Sequence, residues 1–147
     1  MPATPESSSA EIILAIDFGL RRIGVAVGQQ ITESANPIAT IANSDDGPDW
    51  ASLSSIIREW KPARLIVGMP FDAEGLPTES SKRVEGFAAA LSRFGLPVET
   101  VDERYSSLEA NEMLKSERAM GIRGRISKEM IDAAAAVLIA ERWLQGR

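Results

Sequence analysis

Ile12-Ile13-Leu14-Ala15-Ile16-Asp17-Phe18-Gly19-Leu20-Arg21-Arg22-Ile23-Gly24-Val25-Ala26-Val27 decides the fold. Ile12 to Ile16 runs without a polar interruption, as in a strand covered on both faces. A short glycine-containing link follows, and a second apolar run begins at Ile23. So short a connection joins antiparallel strands. The stretch also sets an acid, Asp17, at the end of the first run. Two arginines, Arg21 and Arg22, follow in the turn.

Outward from the hairpin, a third strand is expected within Ala35 to Ile41, where Pro37 favours an edge or a bulge. Asn43 to Pro48 reads as a loop. Trp50, Leu53, Ile56, Ile57 and Trp60 recur at helical spacing behind Asp49, a candidate N-cap. Ala63 to Gly68 reads as a buried strand and Met69 to Pro77 as a loop. Val84, Phe87, Leu91 and Phe94 mark a second amphipathic helix, ended near Gly95 and Pro97. Val98 to Asp102 is the last strand. Ser106 and Glu109 form a capping-box pattern for a helix to about Met120. Gly121 to Ile126 is a loop, and Ser127 can cap a final helix over Ile131 to Leu144, with Ile126 and Ile131 as a hydrophobic staple. Three meandering strands followed by alternating helices and strands predict an α/β fold, a mixed five-stranded sheet flanked by helices.

A chain of 147 residues fits one domain, here residues 11–147. Residues 1–10 are polar, rich in Pro and Ser, and read as a disordered tail rather than a signal peptide. No apolar run approaches the ~20 residues that span a bilayer. The chain has no cysteine and no histidine. Disulfides are therefore excluded, as are soft-metal sites and catalysis by His or Cys. These features predict a cytoplasmic protein without a membrane partner.

The net charge of −5 argues against coating nucleic acid by bulk electrostatics. The distribution is uneven, however. Lys115, Arg118, Arg123, Arg125 and Lys128 face a single acid, Glu117, in one short segment. The segment is either a solvated charged loop or a local phosphate clamp.

Three acids stand where desolvation is costly. Asp17 closes a buried strand, although it could simply hold the turn through backbone hydrogen bonds. Asp102 and Glu103 end the last strand, and alternation points only one of them into a site. Glu103 could serve only to meet the positive end of the helix at Ser106. Asp132 falls within the apolar arc of the final helix, which Ile131, Ala135, Ile139 and Trp143 help define. Its bland role would be interaction with the helix dipole. Without His or Cys, the natural counter-charge is a hard, oxygen-liganded cation, Mg²⁺ or Mn²⁺. Two such ions ~4 Å apart activate water and stabilise the leaving oxygen in phosphoryl displacement. The Asp17-Phe18-Gly19 triplet also occurs in protein kinases, but the catalytic-loop histidine is missing.

At these residues the chain resembles the YqgF family, described both as Holliday-junction resolvases and as pre-16S ribosomal RNA nucleases. The matching segments are Ala15 to Ala26, Leu65 to Pro70, Val101 to Ser107 and Ile131 to Leu138, in that order. The resemblance covers roughly Ile12 to Trp143 and implies a ribonuclease H-like fold. It implies Asp17, Glu103 and Asp132 as catalytic and metal-binding acids, which selects Glu103 over Asp102. It also implies phosphate contacts from Arg21 and Arg22. Arg104, Arg123, Arg125 and Lys128 complete the basic set expected to meet nucleic acid. Met69 stands where the family usually has Leu, a volume-conserving change.

The expected function is a metal-dependent endonuclease on structured nucleic acid, foremost at the 5′ end of pre-16S ribosomal RNA. Junction DNA is the alternative substrate. A non-catalytic module binding nucleic acid or a transcription factor is a competing class. An actin-like ATPase needs two such domains. A resolvase cutting symmetric strands favours a homodimer and an RNA-trimming enzyme can be a monomer, so both states stay open.

Overall fold

The computed structural model describes residues 11–72, 74–102 and 128–145, the side chains of 128–133 excepted. β1 (Ile12–Phe18) and β2 (Arg22–Gln29) form the expected antiparallel hairpin, with Ile12 opposite Gln29 and Asp17 opposite Gly24. β1 is central and also pairs in parallel with β5 (Arg64–Met69). β6 (Val98–Asp102) adds in parallel beyond β5. On the other side lies β3 (Ser34–Ser44), antiparallel to β2. Its register skips Ile38, because Val25 pairs with Ala39 but Ala26 with Pro37. A proline cannot donate to a regular ladder, so the bulge falls beside it.

A short further strand, β4 (Gly47–Pro48), pairs with the end of β3. Among the described residues the sheet therefore has six strands, in the order β4-β3-β2-β1-β5-β6, not five. With Asn43 and Ser44 inside β3, this corrects the loop expected over 43–48. Ser44, Gly47 and Pro48 fold into a tight return, in which Gly47 takes φ 111°. Turn residues marked the reversal, but composition could not reveal that its two sides pair.

α1 (Trp50–Trp60) starts at Asp49, whose carboxylate accepts the Ser52 hydroxyl (2.7 Å) and backbone N–H (3.1 Å). The Ser52 hydroxyl above all holds that carboxyl below its usual range. α2 (Glu79–Ala90) is capped by Thr78 and tightens into a 3₁₀ turn, Leu91–Phe94, stopped by Gly95 at φ 72°. α3 (Lys128–Gln145) starts three residues before the expected Ile131. The helix expected from Ser106 to Met120, the loop after it, the Ser127 cap and the Ile126–Ile131 staple lie outside the described residues.

The sheet's faces differ. Leu14, Ile16, Val25, Val27, Leu65 and Val67 pack with Leu53, Val84 and Phe87 under α1 and α2. Ile13, Ala15 and Ile66 meet Ile139, Ala140 and Trp143 of α3 on the other. Where α3 crosses β2 the contact is built mostly from small groups. A Cβ on Gly28 would sit 3.0 Å from Ile13 and 3.4 Å from Ala140. The alanine run lets the helix lie close.

One end of α3 is tied by an ionic knot. Arg64 bridges Glu11 (2.6 Å) and Glu99 (2.5 Å), and the Trp143 indole N–H donates to Glu99 (2.9 Å). Hydrogen bonds from Arg64 to Glu99 and then Glu11 raise the guanidinium pKa above its ordinary value. No helix among the described residues is long and apolar enough to cross a membrane.

Candidate active site

Alternation along β1 assigns Asp17 to a face. Ile13 and Ala15 lie under α3, so Asp17, two residues further, falls on the same face at the strand's C-terminal end. It is half-buried. Its neighbours Ile16 and Phe18 face α1 and α2.

Packing also sets the height of α3. Ala140 lies by Gly28, and Ala136 and Val137 pack on Ala26. Four helical residues rise ~6 Å while two strand residues advance ~7 Å. The next turn therefore brings the backbone at Asp132 to the level of Gly24, the register partner of Asp17. Asp17 and the backbone of residue 132 thus lie toward one end of the sheet. The Asp132 side chain lies outside the described residues, as does all of Glu103.

Glu103 directly follows Asp102, which ends β6 opposite Met69. Asp102 shares its face with Val98, under α1 and α2, while Val101 and Glu99 lie toward α3. Asp102 is thus turned away from the face of Asp17. Its carbonyl oxygen accepts a hydrogen bond from Arg142 Nη1 (2.8 Å). Arg142 was legible only as part of the helix's inner arc. Its reach to β6 follows because helical side chains tilt toward the N-terminus.

The basic turn is held from a third strand. Gly19 N–H donates to Arg22 O (3.0 Å), closing the turn. Buried Asn43 donates its backbone N–H to Arg21 O (2.9 Å) and its side-chain amide to Gly19 O (2.7 Å). Leu20 and Arg21 are exposed and Arg22 is half-buried. Sequence reading missed Asn43, because nothing local indicates that β3 returns past this turn. Asn43→Ala is expected to cost about 1–2 kcal/mol, since it leaves the Gly19 carbonyl without its partner. Urea unfolding measures this, and an unchanged midpoint would mean that water replaces the amide fully. Lys128 begins α3, and its side chain, with Arg104, Arg123 and Arg125, lies outside the described residues.

Among the described residues no three acids gather into a metal-holding group. The donors available to this end of the sheet are carboxylate oxygens, in a chain without His or Cys. That donor chemistry fits a hard divalent cation and not a soft one.

Comparison with known proteins agrees with this architecture. A protein of Azotobacter vinelandii provisionally named a pre-16S rRNA nuclease is 42% identical over 142 residues, covering 95% of this chain and 97% of its own. One of the same name from Pseudomonas putida is 43% identical over 137 residues, with 91% and 94% covered. Among solved structures, T. thermophilus RuvC in complex with a Holliday junction substrate superposes with a TM-score of 0.55 at 17% identity. The match covers 93% of this chain and 95% of RuvC. At that identity the likeness shows the fold, the ribonuclease H-like architecture expected above. Residues 11–146 match the RuvX family, described as Holliday junction resolvase, and with relatives above 40% identity along nearly the whole length this chain belongs to that family.

Proposed function

We propose that this protein is a divalent-metal-dependent endonuclease that processes the 5′ end of pre-16S ribosomal RNA, with Asp17, Glu103 and Asp132 as its metal-binding acids. The observation that carries this reading is Asp17 at the end of the central strand, on the sheet face that α3 covers. The names of the relatives support the reaction class, hydrolysis of phosphodiester bonds, and the RNA substrate. A bound Mg²⁺ or Mn²⁺ would activate water and stabilise the leaving oxygen. The chain's own part is to hold that charge and to orient the strand. Asp17 offers a half-buried carboxylate on a rigid β-strand, and Arg142 steadies the end of β6 just before Glu103. Arg21 and Arg22 stand beside Asp17 on a braced turn, suited to gripping phosphate through paired hydrogen bonds. Arg104, Arg123, Arg125 and Lys128 would extend that grip.

The family description favours a second substrate, four-way-junction DNA. Cleavage of labelled pre-16S RNA and junction DNA, side by side with Mg²⁺, Mn²⁺ or EDTA, separates the two. Metal-dependent cutting of the RNA is the expected result. Cutting of the junction alone would move the substrate to DNA. Binding without cutting in every metal would make the protein a non-catalytic module.

Metal binding has a readout apart from activity. Mg²⁺ at ~100 times its dissociation constant should stabilise the folded protein by about 2.7 kcal/mol, because it binds only the folded state. Calorimetry of the wild type and of a variant combining Asp17→Asn, Glu103→Gln and Asp132→Asn tests this. A shift of equal size in both would place the ion elsewhere.

A further inference from the structure

Just beyond Asp17, on the opposite side of the β1 end, a cavity of about 140 Å³ opens between the β1–β2 turn and α2. Phe18, Gly19, Leu20, Ser80, Arg83 and Val84 line it. We propose that this cavity holds the base of one unpaired nucleotide next to the phosphate bound at Asp17. The proposal rests on the nuclease reading and gives its substrate a local feature, an unpaired base.

Size comes first. A cavity of ~150 Å³ accepts one benzene-sized ring. The space here suits a single pyrimidine ring and is too small for a stacked pair. Its chemistry is mixed in the way a base requires. Phe18, Leu20 and Val84 are apolar surfaces, while the Ser80 hydroxyl and Arg83 guanidinium can meet the polar edge. Arginine can also stack on a base, its guanidinium being planar and weakly hydrated.

The walls are preformed. The Phe18 ring lies 4.5 Å from that of Phe87, and Val84 is fully buried in the core. Asn43 fixes the turn that carries Gly19 and Leu20. Leu20 is 67% exposed, an apolar side chain that joins no core cluster among the described residues but does border this space. A free anion is the weaker occupant. The N–H of Ser81 is already taken by the Thr78 hydroxyl, and Glu79 adds negative charge to the first turn of α2. A base linked to a phosphate seated on the other side of the turn avoids that conflict.

The test uses the full chain in EDTA, so that binding is read without cleavage. Uridine 5′-monophosphate is titrated while the methyl resonances of Leu20 and Val84 are followed, and affinity for a single-stranded oligouridylate is measured by anisotropy. Both methyls are expected to shift in the wild type. Ser80→Phe, which closes the mouth from an exposed position, should abolish the shift at Val84 and weaken the oligonucleotide about tenfold, or ~1.4 kcal/mol. Leu20→Ser should weaken it by a similar factor with an unchanged unfolding midpoint, because that side chain is exposed. Unmoved methyls in the wild type, or full affinity in both variants, would overturn the proposal. Binding that behaves as expected in a wild type unable to cut any substrate with Mg²⁺ would refute the nuclease reading and leave the base site standing.

Discussion

Asp17→Asn is expected to lower the rate of phosphodiester cleavage by about 10³-fold while the fold stays intact. The substitution keeps the shape of a half-buried side chain at the end of β1 and removes its charge. A metal ion contributes several kcal/mol to stabilising the transition state, and each ~1.4 kcal/mol is tenfold in rate. Weakened coordination therefore appears mainly in kcat at saturating Mg²⁺. Stability without metal should be unchanged or raised, since one member of the proposed acid cluster is neutralised. Single-turnover cleavage with preparations cleared of contaminating nuclease, beside a thermal melt, measures both effects. Near-normal kcat in a well-folded variant would remove Asp17 from the proposed metal site.

Gly19→Ala should damage both the fold and the site. A Cβ at Gly19 would stand 2.4 Å from the Arg22 carbonyl oxygen. That oxygen accepts the Gly19 N–H and cannot retreat without breaking the bond that closes the turn. The clash meets backbone and not the end of a flexible side chain. Overpacking of this kind costs about 1–3 kcal/mol, and the upper part of that range is expected here. The turn would open, and Asn43 would lose its hold on Gly19 O or Arg21 O. Arg21 and Arg22 would then shift relative to Asp17, raising KM and flattening the salt dependence of binding. Denaturant unfolding gives the first effect and binding at several salt concentrations the second. An alanine variant with wild-type stability would show that the turn relaxes freely.

These two positions differ in how well the sequence announces them. Asp17 is conspicuous because an acid at the end of a fully apolar run must be compensated. Gly19 looks like any turn glycine, and its φ lies outside the left-handed region that favours glycine. Only the closeness of Arg22 O makes a side chain intolerable there.

Local pattern was enough for most of the architecture. The β1–β2 hairpin, both amphipathic helices, the Asp49 cap and the Val98–Asp102 strand depend on periodicity and turn chemistry, which neighbouring residues specify. The order of elements then restricted the topology to a mixed sheet, since short connections join antiparallel neighbours and helical crossovers join parallel ones. The absence of His and Cys by itself limited the metal chemistry to oxygen ligands. Tertiary structure decided what joins residues far apart in the chain. It brought Asn43 back across the Gly19–Arg22 turn, set Arg142 against the end of β6, and put Asp102 on the face away from Asp17. It also fixed the height of α3 through the contacts of its alanines with Ala26 and Gly28. Such contacts carry no local signature. They arise because strands and helices formed for their own reasons must share one sheet, and packing alone sets which residues then meet.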